Sequence, residues 1–332
     1  MGPREQHQRP SRRQAIQSGA LSLGILGATA LLARVSYQPD GRIVHQLGGS
    51  RQVRDFRHPT AQKVQARIAV ARPTPQNLRP SAEELVRRAV DALGSMKSFV
   101  GRGDRVVLKP NIGWDRLPVH AANTNPRVVA EVVRQCFDAG ASRVTVTDAS
   151  CNQAERSFQR SGIWRAAYDA GAEVILPAPY RFRSMRLRGE LLDEWPVYTT
   201  LIEADRVINL PIAKHHNLSL YTGAMKNWYG VLGGRRNRLH QKIHLSIADL
   251  ATFMRPTLTI LDATRVLLRN GPQGGNLLDA QDMHQVVASL DEVAADTYGA
   301  GLVGVDPKTV GYLRLGVERG LGSMDLTDLV LA

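Results

Sequence analysis

From residue 67 onward, short apolar runs alternate with longer stretches in which apolar side chains recur every three or four positions. Ile68, Ala69, Val70 and Ala71 make a first run of strand length. Ser81 with Glu84 three residues on has the form of a capping box. It opens a helix predicted over 81–94, with Leu85, Val86, Ala89, Val90 and Leu93 on one face. Residues 105–108 read as a second strand, ending in Lys109-Pro110-Asn111. A helix over 126–139 follows, with proline in its first turn and Gly140 at its end. Residues 143–147 give a third strand ending at Asp148, a helix over about 154–170 stops at Gly171, and 173–176 is a fourth strand. Residues 181–192 read as a strand pair standing off the sheet. Further strands are expected over 207–210, 258–261 and 286–288. The helices between and after them run over 246–254, 291–302 (with Asp291 as cap) and around 314–319.

Strands alternating with helices form parallel sheets covered on both faces. The expected fold is therefore α/β: two Rossmann-like lobes with largely parallel sheets, residues 66–195 and 196–332, and a site in the cleft between them. In such sheets ligands bind at the carboxyl ends of the strands. Lys109 and Asn111, Asp148 and Ser150, Lys214 and His216, and Asp262 each follow a strand directly, which would bring them to one rim. Any single strand end is polar because a loop begins there. Four strands ending in ionisable or amide groups weaken that plain explanation.

Ahead of the folded part, Ser11-Arg12-Arg13 precedes a weakly apolar run from Ser18 to Ala33. That is the twin-arginine pattern, so residues 1–34 are read as an export signal or anchor and set aside from the fold. The run is short for a comfortable membrane span. Ala15 and Gln17 depart from the commonest residues at their positions. Residues 35–65, broken by Gly41, Gly48, Gly49 and Pro59, read as a linker. The expectation is a protein handed to the twin-arginine machinery, exported to the periplasmic side, and touching membrane only through its N-terminal segment.

Charge and composition narrow the function classes. The net charge is +13, yet the basic residues are scattered and aromatics make up only 5% of the chain, which argues against nucleic acid as partner. Two cysteines, Cys136 and Cys151, supply no ferredoxin-like iron–sulfur cluster spacing. Cys136 falls within a helical apolar face and reads as core, and Cys151 is a possible nucleophile near the rim. No G-x-S-x-G elbow, phosphate-binding GxxxxGK[ST] loop, H-E-x-x-H or strand-linked G-x-G-x-x-G is present.

The richest chemistry lies between Arg206 and His244. The chain makes its positive charge almost wholly from arginine, yet three of its seven lysines, Lys214, Lys226 and Lys242, fall here beside His215, His216, His240 and His244. Lysine is a compact charge that can lose its proton and act as a nucleophile. Gly223, Gly230, Gly233 and Gly234 would let backbone approach a ligand closely. Two uses stay open. One is anion binding, with Lys226, Arg235 and Arg236 around a phosphate or carboxylate. The other is a divalent metal or attached cofactor, with His216 or His240 as ligand and Lys226 as tether or base.

The strings VVLKPNIGW (106–114), LPIAKHH (210–216), TGAMKNWYG (222–230), NGPQGG (270–275) and ASLDEVAAD (288–296) occur in that order. They resemble the domain of unknown function 362 family over roughly residues 66–325. The strand-end positions and the resemblance together mark Lys109, Asn111, Lys214, Gly223, Asn227 and Asp291 as cofactor-binding candidates, and His216, Lys226 and Asp148 as catalytic ones, Asp148 from its strand end alone. The chain is more distantly similar to the nickel-pincer lactate racemase family. By position that likeness implies a proton-transfer role for His216, a cofactor-bearing Lys226 and a nickel-ligating His240. It departs at TGAMKN, where that family has a glycine pair before its lysine. Two function classes follow: an exported enzyme acting on a small anionic substrate with a metal or lysine-linked cofactor, or a non-catalytic binding or accessory protein. A carboxylate beside Lys226 favours the first, and a cleft lined only by donors the second.

Overall fold

The computed structural model describes residues 55–57 and 66–332. The expected export signal and most of the linker lie outside the described residues. Of the linker, Phe56 is fully buried; its N–H donates to Arg255 O and its carbonyl accepts from Thr257 Oγ1.

The first half alternates as expected: β1 (Ile68–Ala71), α1 (Ala82–Asp91), β2 (Arg105–Pro110), α2 (Pro126–Asp138), β3 (Arg143–Val146), α3 (Ala154–Arg160), α4 (Ile163–Asp169) and β4 (Glu173–Val174). Ser81 caps α1 by accepting from Glu84 N, and Asn125 caps α2 by accepting from Arg127 N. The single helix expected over 154–170 is two, because Gly162 takes φ +75° and breaks the run. The protruding pair is β5 (Phe182–Arg186) with β6 (Glu194–Tyr198), an antiparallel ribbon followed by the short α5 (Thr199–Ile202).

In the second half come β7 (Arg206–Leu210), β8 (Ile212–His216), β9 (Leu220–Thr222), α6 (Ala224–Asn227), α7 (Ile243–Phe253), β10 (Leu258–Leu267), β11 (Ala280–Ser289), α8 (Glu292–Leu302), α9 (Gly311–Glu318) and β12 (Leu329–Leu331). The α/β class and the largely parallel sheet are as expected. The strands of the two expected lobes, however, do not form a sheet each. All except the β5–β6 ribbon join one ten-stranded sheet in the order β12-β1-β11-β10-β7-β2-β3-β4, with β8 on β10 and β9 on β8. The seam is the β2–β7 pair, parallel from Val106 opposite Arg206 to Pro110 opposite Leu210.

Period-two alternation explains why that sheet is covered on both faces. Val106, Leu108 and Ile208 pack with α1 and α2, including Leu85, Val86, Val128 and Val132. Val107 and Val207 point the other way, into a cluster with Trp195, Trp228, Ile247 and Leu250. Strands β2, β3 and β7 therefore stop together, and the loops leaving them meet over one edge.

Candidate functional site

A cavity of about 410 Å³ opens over that edge. Asn111 enters it from the loop after β2, Asp148 from the loop after β3, Lys214 and His216 from β8, and Lys226 and Asn227 from α6. Tyr229, Arg236, His240 and Cys151 complete the wall. Residues from both expected lobes thus contribute to one cavity.

Its floor is a closed polar network. Lys109 is fully buried and donates to Asp148 Oδ1 (2.7 Å), Asn227 Oδ1 (3.1 Å) and Pro110 O (3.1 Å). The other Asp148 oxygen accepts from Ile112 N at 2.8 Å. Asn227 is the hub: its oxygen also accepts from Asn111 Nδ2, and its amide donates to Lys109 O (3.0 Å) and Asn209 Oδ1 (2.8 Å). Lys214 donates to Asn111 Oδ1 (3.0 Å) and Ala122 O (2.5 Å). Buried polar groups are tolerated when every member is paired, and these are.

Gly230 closes over this floor. A Cβ there would sit 1.8 Å from Asp148 Oδ1 and 2.7 Å from Lys109 Nζ. Gly230→Ala is expected to destabilise the protein by about 1–3 kcal/mol or more, since neither buried partner is free to move aside. Urea denaturation of the variant measures this; a loss under about 0.5 kcal/mol would show that the contact relaxes.

Above the floor the groups are less committed. Leu218 N (3.1 Å) and Ser219 N (3.3 Å) both donate to His216 Nδ1, which assigns the ring proton to Nε2. Burial, then the neighbouring Lys226 and Lys214, push the His216 pKa down to about 2, so it is neutral. His240 is the opposite tautomer, because its Nδ1 donates to Asn237 O (3.0 Å) and leaves a lone pair on Nε2. Burial and Lys226 lower its pKa too. The rings lie nearly parallel, 12° apart in orientation, with centroids separated by 6.3 Å.

Lys226 is half-buried, with Nζ 4.6 Å from the centre of the Tyr229 ring. Among the described residues it has no hydrogen-bond or ion-pair partner. Burial, reinforced by Arg236, pulls its pKa down to about 8. Burial, then Lys226, brings Lys214 to about 7. Arg236 is clamped by carbonyls: Nη1 donates to Ala149 O (2.6 Å) and Tyr229 O (3.1 Å), and Nη2 to Ser150 O. Cys151 Sγ lies 4.0 Å from the same guanidinium. The one carboxylate in the wall among the described residues, Asp148, is already paired with Lys109, so the cavity presents an excess of positive charge.

Seven of the ten candidate residues, Asn111, Asp148, Lys214, His216, Lys226, Asn227 and His240, meet here. Lys109 belongs one layer below. Gly223 and Asp291 are not brought to the cavity. Asp291 caps α8 through Ala294 N (2.9 Å), accepts from Ser323 N (2.9 Å) and pairs with Arg67 (3.0 Å). Gly223 begins α6, where a Cβ would lie 2.2 Å from both Asp296 Oδ1 and the Tyr221 hydroxyl. Its absence lets Asp296 accept from Ala224 N (2.5 Å) and Met225 N (3.0 Å) and so hold the turn that carries Lys226. Glu292 accepts from Trp228 Nε1 (2.9 Å) and Asn209 Nδ2 (2.7 Å) behind it. The acidic segment matching the family pattern is thus a brace for the lysine loop. Sequence reading does not assign Trp114, Tyr229 or Pro272 to the wall, although each falls within a string that carries the family resemblance, which is the signal that could have found them.

Among the described residues no three His, Cys, Asp or Glu side chains are set to hold one metal ion. His216 also offers a metal no lone pair while Nδ1 accepts from two backbone donors. A metal bound by these side chains alone does not fit, because closed or catalytic sites take three or four protein ligands.

Fold and cavity together define an α/β protein with a cationic, imidazole-bearing pocket at the strand ends. The chain belongs to the family described as Domain of unknown function (DUF362), whose model matches residues 106–301. It is 28% identical over 251 residues to the thylakoid-associated protein sll1697 of Synechocystis sp., covering 71% of this chain and 74% of that one. Two solved structures are distantly similar. One, a Thermotoga maritima protein, has TM-score 0.40 and 11% identity, over 68% of this chain and 59% of that one. The other is the lactate racemase apoprotein of Thermoanaerobacterium thermosaccharolyticum, with TM-score 0.41 and 13% identity, over 74% of this chain and 58% of that one. This chain therefore spans less than two thirds of either solved protein.

Proposed function

We propose that the protein is an enzyme acting on a small anionic substrate, held by the cavity's positive charge beside Lys226. The observation that carries this reading is an uncommitted amine. Lys226 faces the cavity without a partner among the described residues, its pKa drawn down to about 8, next to a neutral His240 whose Nε2 can take a proton. His216, with its proton on Nε2, can donate to the substrate from the facing ring. A carboxylate or phosphate would be drawn in by Lys226, Lys214 and Arg236 and oriented by the remaining N–H of the Asn111 amide.

The lysine-linked cofactor implied by the racemase resemblance fits the donor set in one respect: the Lys226 amine and His240 Nε2 are both free to engage it. Lys226 would carry it and His240 would offer one metal donor. Such a group supplies an electron-accepting centre beside the substrate. A non-catalytic carrier of an anion or metallocofactor is the second reading, favoured by a wall whose only carboxylate is paired to Lys109.

We also infer export through the twin-arginine machinery from residues 1–34, and membrane association from the thylakoid-associated relative. Among the described residues no helix is long and apolar enough to cross a membrane.

Intact mass and elemental analysis of protein purified from its native compartment test the site. The expected result is a small adduct or tightly held anion that disappears in Lys226→Ala and weakens in His216→Ala, with the thermal midpoint of both variants unchanged. Equal ligand and metal content in wild type and both variants would remove the basis for the reading.

A further inference from the structure

Twelve large apolar side chains are exposed among the described residues, and six sit on three neighbouring loops: Leu117, Val119, Leu218, Leu220, Leu277 and Leu278, the last 81% exposed. Two of those loops also supply Trp114 and Pro272 to the cavity wall, and the third begins directly after His216, the last residue of β8 and part of the same wall. They are tied to one another. Asn217 N donates to Gly271 O (3.2 Å), Gly271 N to His215 Nδ1 (3.3 Å), and Arg265 Nε to Val119 O (2.9 Å). A Cβ on Gly274 would stand 3.5 Å from His120 O, which places the 270–279 loop against the 114–120 loop. The loops that carry the six side chains are thus neighbours beside the cavity mouth; none of the six lines the cavity itself, and Val119 also borders a second cavity of about 420 Å³. Single exposed leucines are ordinary, but a cluster of them on a functional edge is not.

The other part of the mouth is the turn Arg236–Lys242, which contributes Arg236, Asn237 and His240 to the wall. Arg235 just before it and Arg238 and Lys242 within it have no carboxylate partner among the described residues. The acids near the apolar loops are already taken: Asp115 by Arg156, Asp279 by Arg269 and Asp282 by Arg265. The rim is therefore apolar on one side and cationic on the other. A second copy meeting this face with its own copy of the same face would bring only these paired carboxylates to the cations. A lipid surface with anionic headgroups satisfies both sides at once: leucines enter the headgroup–acyl boundary and guanidinium groups meet phosphates.

We propose that the rim formed by the 114–120, 217–220 and 270–279 loops and the 235–242 turn docks the protein on an anionic lipid surface, so that the cavity opens onto the headgroups. This builds on the membrane association read above, but it needs nothing from the chemistry of the cavity. It also explains why side chains that cost order in water stand at the mouth rather than inside.

Full-length protein is sedimented with vesicles of phosphatidylcholine, with and without phosphatidylglycerol, at low and high salt. Wild type is expected to partition to the phosphatidylglycerol vesicles more strongly, and less so as salt rises. Leu218→Ser with Leu278→Ser is expected to lower that partition about tenfold or more. Arg235→Gln with Arg238→Gln should remove most of the salt-dependent part. Lys226→Ala should partition like wild type even if it has lost its ligand, so failure of the site reading and failure of the docking reading remain separable. Unchanged partition of the leucine variant would assign attachment to the N-terminal segment and overturn the proposal. So would a dimer of wild type that the leucine variant abolishes without any change in vesicle binding, which would give the face to a second copy. Loss of partition in Lys226→Ala would place the lipid contact in the cavity and overturn it as well.

Discussion

Asp148→Ala is expected to lower folding stability by about 3–5 kcal/mol, because it strands a buried ammonium. Lys109 is fully buried, and without Asp148 it keeps only Pro110 O and Asn227 Oδ1 as acceptors, while Ile112 N loses its own. Burial already drives the Lys109 pKa below its ordinary value against the pull of Asp148, and removing the carboxylate drives it further down. The sign of the pH dependence follows. A folded state that sheds this proton more readily than the unfolded chain gains stability as pH rises toward the unfolded lysine value. The Asp148→Ala deficit should therefore shrink between neutral pH and about pH 10. Adding Lys109→Met to Asp148→Ala should recover much of the loss, since the stranded charge goes with it. Urea denaturation of the three variants across that range measures all of this. A cost under about 1 kcal/mol for Asp148→Ala would mean that water reaches the ammonium from the cavity.

The parts of the molecule readable from its sequence are those fixed by local chemistry. Ser81 with Glu84, Asn125 ahead of Pro126 and Asp291 ahead of α8 mark helix starts through their own side-chain oxygens, and all three are caps in the structure. Lys109, Asp148 and Lys214 were placed at one rim because parallel strands end together. What escaped was set by partners distant in the chain. One sheet or two depends on whether β2 finds β7, a pairing between residues about one hundred positions apart that no periodicity records. Strand β8 is not legible because Ile212–His216 carries Lys214, His215 and His216, a polar sequence for a strand; all of it but His215 is nevertheless buried. Asp291 and Asp296 have the composition of ligands, yet their oxygens are taken by backbone N–H groups at the starts of α8 and α6. Carboxylates serve helix ends and cofactors by the same lone pairs, so residue type alone does not separate the two uses.

Lys226 should stand apart from the other lysines when reactivity with an amine-directed acylating reagent is followed against pH. Only the neutral amine reacts. With its pKa brought to about 8, roughly one molecule in ten carries Lys226 neutral at pH 7, against fewer than about one in a thousand for an ordinary lysine. The expected profile, read by peptide mass spectrometry, has its midpoint near pH 8 at Lys226. Lys214 is drawn down to about 7, but its nitrogen is buried and bonded to Asn111 and Ala122, so it should stay unlabelled despite being the weaker base. Pocket access as well as basicity sets the order. Arg236→Gln removes the cation that reinforces the effect of burial, and the Lys226 midpoint should move up. An anion bound in the cavity should move it up as well and slow the labelling, because opposite charge favours the ammonium form. A Lys226 profile that rises only near pH 10 would describe a solvated ammonium, and the cavity would then be a place to hold an anion without a nucleophile to act on it.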